Sequence, residues 1–199
     1  MHLWGGKEFD FYSGWGSHHP KITHPYINAL SDFFKSFKIP LTVLDLGCGD
    51  FNIGKQLIQY VKKYIAIDIV ETLIERNKKL YTVNNLEFNC LDISKDKLPH
   101  ADCVILRQVL QHVSNAEIQN ILKKLTSYQY VILTEHIPNG DFIPNKDIIA
   151  GQGIRLKHNS GVNILEAPFY FKITRQQILT TYTLEGNNGR IVTTLYELP

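Results

Sequence analysis

From Leu41 to Leu133 the chain alternates short apolar runs with amphipathic stretches, and this rhythm restricts the fold more than any other feature. Leu41–Leu44 is followed by a helical stripe at Ile53, Leu57, Ile58 and Val61. Tyr64–Ile67 precedes a helix around Glu71–Tyr81, and Leu86–Phe88 is a brief third run. Cys103–Leu106 precedes a helix over Asn115–Leu125, with Ser114 or Asn115 as its N-cap, and Tyr130–Leu133 is the fifth run. Short buried strands separated by amphipathic helices mean parallel strands with crossover helices, an α/β doubly wound sheet.

The two ends follow other patterns. Residues 1–23 are rich in Gly, His and aromatics without a sustained period, and read as an N-terminal arm that forms a lid over the active site. Pro25 then opens a helix whose apolar positions Ile27, Leu30, Phe34 and Phe37 recur at helical spacing until Pro40 stops it. Residues 135–170 carry Pro138, Asn139-Gly140 and Pro144, which predicts an irregular excursion. Gln177–Leu184 and Ile191–Tyr196 flank Gly186-Asn187-Asn188-Gly189 and read as a closing antiparallel hairpin. No repeat or linker divides the chain, so residues 1–199 are expected to form one domain.

Composition excludes several function classes. No apolar run approaches the roughly 20 residues of a membrane span, and Met1-His2-Leu3-Trp4-Gly5-Gly6 lacks the pattern of a signal peptide, so a cytoplasmic location is expected. A net charge of +2 with scattered basic residues gives no clear nucleic-acid or membrane signal. The pairs Lys62-Lys63, Lys78-Lys79 and Lys123-Lys124 sit near predicted helix ends, where cations favour the helix dipole. Cys48, Cys90 and Cys103 have no zinc spacing, and Cys90 and Cys103 fall in apolar segments as expected buried thiols. No metal is expected.

The chemistry is concentrated at the strand ends. Val43-Leu44-Asp45-Leu46-Gly47-Cys48-Gly49-Asp50 closes the first strand, and ligands of doubly wound sheets bind outside the carboxyl ends of strands. Gly47 and Gly49 allow a sharp turn and close approach to a ligand, and the helix predicted to start near Phe51–Ile53 would aim its N-terminus at an anionic group. A dinucleotide fingerprint would need a third glycine where Asn52 stands. Asp45 suits a cofactor with an ammonium group better than one with a pyrophosphate. S-adenosylmethionine carries both an ammonium and a sulfonium, which fits that charge. Asp68, at the end of the second strand, can accept two hydrogen bonds from a ribose diol. Asp92, after the third, can accept from an adenine amine, with Ile69 and Ile93 sandwiching the ring.

Asp45-x-Gly47-x-Gly49, Asp68 and Asp92, in that order, resemble the cofactor motifs of the class I S-adenosylmethionine-dependent methyltransferases, as does Val109-Leu110-Gln111-His112-Val113 after the fourth strand. The resemblance covers about residues 41–134 and implies a Rossmann-like sheet of order 3-2-1-4-5-7-6 with an antiparallel last strand. It implies cofactor contacts at Asp45, Gly47, Cys48, Gly49, Asp68, Ile69, Asp92, Ile93 and Arg107. Asp50-Phe51 stands where the family has its third glycine. The chain is also similar to a bacterial subgroup with an N-terminal Ser-Gly-x-Gly-Ser element, here Ser13-Gly14-Trp15-Gly16-Ser17. That similarity returns at Asn145-x-Asp147-Ile148, Arg155 and Pro168-Phe169.

Methyl transfer is an in-line displacement, so the protein must align nucleophile and methyl and supply a base where the nucleophile loses a proton. His18, His19, His136 and Glu135 are the candidate catalytic groups, and Trp15, Ser17 and Arg155 the candidate substrate contacts, Arg155 for an anionic group. His112 is as well explained by a structural hydrogen bond. The expected reaction is methyl transfer from S-adenosylmethionine to an oxygen or nitrogen of a small soluble metabolite, with S-adenosylhomocysteine as product. Two alternatives stay open: an RNA or protein methyltransferase, and a cofactor-binding subunit without catalysis that acts in regulation or assembly.

Overall fold

The structure is a computed structural model and describes residues 11–151, 153–187 and 189–199. Seven strands form one sheet: β1 (Thr42–Leu46), β2 (Lys63–Asp68), β3 (Leu86–Cys90), β4 (Cys103–Arg107), β5 (Tyr130–Ile137), β6 (Arg175–Thr183) and β7 (Arg190–Glu197). Their order is β3-β2-β1-β4-β5-β7-β6. β1 to β5 are mutually parallel, and β7 runs antiparallel between β5 and β6. The strand order reverses between β1 and β4, so the carboxyl ends of these two strands flank the crevice where such sheets take ligands.

The strand period of two divides the core. Leu44, Leu46, Ile65, Ile67, Val104 and Leu106 point to one face and meet Ile118, Ile121 and Leu122 of α4 (Asn115–Leu125). Val43, Tyr64, Ala66, Cys103 and Ile105 point to the other, covered by α1 (Pro20–Lys35), the single turn α2 (Gly54–Leu57) and α3 (Glu71–Leu80). Each such aliphatic side chain contributes about 2 kcal/mol on burial. Helix α4 begins in a capping box: Ser114 Oγ accepts from Glu117 N, while Ser114 N donates to Glu117 Oε2. Such a cap is worth about 1 kcal/mol and fixes the start of the helix.

Several boundaries differ from expectation. Helix α1 starts at Pro20, five residues earlier than its apolar stripe suggested, and Pro25 lies inside it. Ile22, Tyr26, Leu30 and Phe34, each four residues apart, are all buried on one face. Together they bury enough surface to offset the roughly 3 kcal/mol that an interior proline costs. Residues 20–23 are therefore helix, and the arm proper is shorter. The stripe at Ile53–Val61 forms only the turn α2 and a short 3-10 segment at Ile58–Tyr60. The Phe51–Ile53 stretch offers no helix start to an anion: Phe51 is at φ +63, its ring fully buried against Tyr64 and Phe88. Cys90 is exposed at the end of the edge strand β3, whereas Cys103 is buried as expected.

Candidate cofactor loop, arm and acceptor cavity

The turn after β1 shows why the sequence places glycines there. Gly47 is at φ +84, and a Cβ on it would stand 2.5 Å from Val109 Cγ2. Gly49 is at φ +56, and a Cβ there would collide with Ser13 Oγ. Both positions combine a left-handed backbone with no room for a side chain. The loop is pinned to β2 by Gly47 N and Cys48 N, which both donate to Ile67 O. Asn77, fully buried on α3, donates from Nδ2 to Gly49 O at 2.8 Å.

Asp68 reaches the same loop from β2. Its Oδ2 accepts from Gly49 N at 3.1 Å and its Oδ1 from Val70 N at 3.1 Å. Burial raises its pKa, and these amides partly offset the rise. The next residue, Ile69, leaves 64% of its surface exposed, an apolar shelf beside an oriented carboxylate. These features fit the methyl donor: a ribose diol on Asp68, a flat base on Ile69, and glycines that admit a close approach. When bound, S-adenosylmethionine supplies a methyl group activated by the sulfonium.

Asp45 lies beneath this loop. It is buried, accepts from the Tyr64 hydroxyl at 2.8 Å, and burial pushes its pKa up to about 6. Its carboxylate therefore meets Tyr64 from the α1 side of the sheet, and no open approach to a ligand ammonium is seen. The Cys48 thiol is also pushed up by burial.

The arm folds onto the loop. Trp15–Ser17 is a 3-10 turn leading into α1. Ser13 Oγ accepts from Asp50 N at 2.7 Å, and Ser13 N donates back to Asp50 Oδ2 at 3.0 Å. His18 Nε2 stands 2.6 Å from the same Oδ2, and Asn52 Nδ2 donates to Ser17 O at 2.8 Å. From β4, Arg107 donates through Nη2 to Gly16 O at 2.6 Å and through Nη1 to Ser17 Oγ at 2.9 Å, its guanidinium lying over the Tyr26 ring. Burial lowers the Arg107 pKa.

Between arm and closing hairpin lies a cavity of about 490 Å³. Trp15, His19, Lys21, Gln108, His136 and Tyr182 are among its lining residues, and the Trp15 and His19 rings meet at a tilt of 42° with centroids 4.5 Å apart. Three of the expected residues, Trp15, His19 and His136, therefore come together from the arm, the start of α1 and the end of β5.

The others are used differently. His18 turns to Asp50, and Ser17 is held by Arg107 and Asn52. Arg107 secures the arm instead of facing the cofactor shelf. Glu135 lies in β5 on the opposite face from His136. It is buried against the amides of Leu110 and Gln111 and the Arg155 guanidinium, and burial raises its pKa to about 8. Arg155 is 1% exposed and donates to the carbonyls of Lys146, Leu110 and Val113 and to Asn115 Oδ1. Its fork is saturated by the fold, so it is no substrate anchor. Asp92 is taken up by its own turn. Partial burial raises its pKa, but bonds from Lys95 and from Ser94 outweigh this and hold it at about 2. Ile93 packs against the α4-side core.

The sequence reading missed Ser13, Asp50, Asn52 and Asn77. One signal for Asn77 was present: a polar residue continuing the buried stripe of Leu73 and Ile74. For the rest no local signal exists, because each meets its partner across 35 residues or more. His112 is a structural residue, its Nδ1 at 3.3 Å from Gly153 O.

Residues 43–128 match the family model described as a methyltransferase domain. The carboxy-S-adenosyl-L-methionine synthase of Helicobacter pylori (strain J99) is 31% identical over 164 residues, 78% of this chain and 66% of that protein. Phosphoethanolamine N-methyltransferase 3 of Arabidopsis thaliana is 25% identical over 45% of this chain and 19% of its own length. The chain thus spans slightly under two thirds of the first relative and far less of the second. Among solved structures, the N-methyltransferase NodS of Bradyrhizobium japonicum in complex with S-adenosyl-L-homocysteine superposes with a TM-score of 0.68 over 93% of this chain and 91% of its own, at 12% identity. The N-terminal domain of EvdMO1 with the same product bound gives 0.63 over 99% and 92%, at 16% identity. These two likenesses speak for the fold. Sheet order, glycine turn and matching family model agree: residues 43–128 form a methyltransferase domain, on the fold of the class I S-adenosylmethionine-dependent methyltransferases.

Proposed function

We propose that the protein transfers a methyl group from S-adenosylmethionine to an oxygen or nitrogen of a small metabolite held in the cavity between arm and hairpin. The observation that carries this reading is that one short segment serves both sites. Ser13, Ser17 and His18 bind the turn after the glycine loop, while Trp15, Gly16 and His19 wall the cavity. A volume of about 490 Å³ suits a small metabolite. Trp15 covers the acceptor, and the arm acts as a lid that excludes water and strengthens every polar contact inside. His19 and His136 are the groups placed to take a proton from the acceptor. Gln108 orients it. No described helix is long and apolar enough to cross a membrane.

The test is a methylation screen over small acceptors that reads S-adenosylhomocysteine release. No release above background across hydroxyl and amine acceptors would sink the reading. A second reading is favoured by the relative named a carboxy-S-adenosyl-L-methionine synthase: the methyl of the donor loses a proton and takes up CO2 released by a second, decarboxylating substrate. Mass spectrometry of the recovered nucleoside separates the two outcomes.

A further inference from the structure

The polar groups around the cavity are unevenly distributed by charge. Lys21, exposed in the first turn of α1, is a lining residue and is not among the lysines paired with carboxylates in the described residues. His19 and His136 add two imidazoles, and Trp15 an indole N–H. The lining carboxylate is Glu185, exposed at the turn of the hairpin. Glu135, the neighbour of His136 on β5, is buried on the far face.

Gln108 is the more telling group. It is held in the left-handed region at φ +56, with its amide N donating to Thr134 O at 2.7 Å. Such a backbone in a non-glycine residue is unusual and is found where the surroundings enforce it. Its Oε1 accepts from Arg107 Nη1 at 3.3 Å and lies against the Gly16 backbone, where a Cβ would come within 2.6 Å. With one oxygen lone pair taken by arginine, the side-chain N–H groups are the donors it can offer the cavity. Lys21 and this amide are thus one cationic and one neutral donor on the same wall, with Glu185 as the carboxylate among the lining residues.

We propose that the acceptor carries an anionic group, a carboxylate or a phosphate, bound by Lys21 Nζ and the Gln108 side-chain amide, with its apolar body under Trp15. This rests on the cavity being the acceptor site. A charge-assisted bond from Lys21 together with a neutral one from Gln108 sets specificity, because an anion gains the charge-assisted bond and a neutral analogue only an ordinary one. Lys21 then decides which acceptors bind and does not take part in the transfer.

The experiment compares matched ligands by saturation-transfer NMR, with titration of any hit. The pairs are benzoate and benzamide, 4-hydroxybenzoate and 4-hydroxybenzamide, and phenyl phosphate and phenol, with inorganic phosphate added. Each is run with and without saturating S-adenosylhomocysteine. We expect at least one anion to bind about tenfold or more tightly than its neutral partner. Lys21→Met should remove that preference, Lys21→Arg should keep it, and both should bind S-adenosylhomocysteine as the unaltered protein does, which also shows that they fold. Failure of the methyl-transfer reading is read separately, as absence of S-adenosylhomocysteine binding, since the anion pairs are also measured without it. No anion preference in any pair, or a preference that survives Lys21→Met, would overturn the proposal.

Discussion

His18 Nε2 and Asp50 Oδ2 meet at 2.6 Å, and this contact joins the arm to the residue that follows the glycine turn. Asp50 is 6% exposed and also holds Ser13 N and Asn52 N, so one carboxylate organises both the loop and its cover. The glycine loop and one wall of the cavity between arm and hairpin are therefore mechanically one unit.

Asp50→Ala removes three contacts at once while leaving the sheet intact. Cofactor affinity should fall about tenfold and the arm should become open to protease. Calorimetry with S-adenosylhomocysteine and limited trypsin digestion check this. Unchanged affinity together with an intact protease pattern would show that the contact carries no weight.

Asp68→Ala should weaken cofactor binding by roughly ten- to hundredfold, the loss of about two charge-assisted hydrogen bonds to the ribose. Asp68 also holds Gly49 N and Val70 N, so Asp68→Asn should lose less affinity than alanine by keeping an acceptor oxygen for one of them. Equal losses in both variants would shift the explanation from the loop to the ribose alone.

Removing residues 1–19 should abolish turnover and leave a folded protein that still binds cofactor weakly, because α1 begins at Pro20 and its buried face is unaffected. Circular dichroism, calorimetry and S-adenosylhomocysteine release measure the three properties. Full-rate methylation by the truncated chain would end the lid argument, and His19 would leave the catalytic pair.

Arg155→Leu should destabilise the protein by about 3 kcal/mol and leave the KM of any acceptor nearly unchanged. It strands the carbonyls of Lys146, Leu110 and Val113, which the guanidinium now satisfies. Urea unfolding and steady-state kinetics separate the two effects. A large KM effect with full stability would return Arg155 to the substrate site.

The buried acids set a pH dependence of stability. Glu135 titrates near 8 in the folded protein against an ordinary value of 4.5, so between those values the folded state holds a proton that the unfolded chain has released. Stability is therefore lost as pH rises from about 4.5 to 8, and Asp45 adds a loss of the same sign between 3.8 and about 6. Glu135→Gln should match the parent near pH 4 and exceed it at pH 9 by on the order of 3 kcal/mol. Urea midpoints across that range test it, and parallel pH profiles for both proteins would exclude Glu135 as the cause.

The sequence by itself determined the sheet. The alternation of apolar runs and stripes is a local signal, set by side-chain periods of two and 3.6, and it survives in β1 to β5, α3 and α4. The glycine turn and Asp68 were equally legible, since a left-handed turn and a strand-end carboxylate are fixed by neighbours in the chain. The start of α1 was misread because four buried side chains override a local proline rule. Which acids and bases face a ligand was decided only by tertiary structure. His136 and Glu135 are adjacent in sequence, yet the pleat sends one to the cavity and the other under Leu110. Arg155 reads as a substrate contact and Arg107 as a cofactor contact, but burial gives the first to the carbonyls of Leu110, Val113 and Lys146 and the second to the arm. Ser13 and Asp50 pair across 37 residues, and such a partnership exists only once the arm has folded back over the sheet.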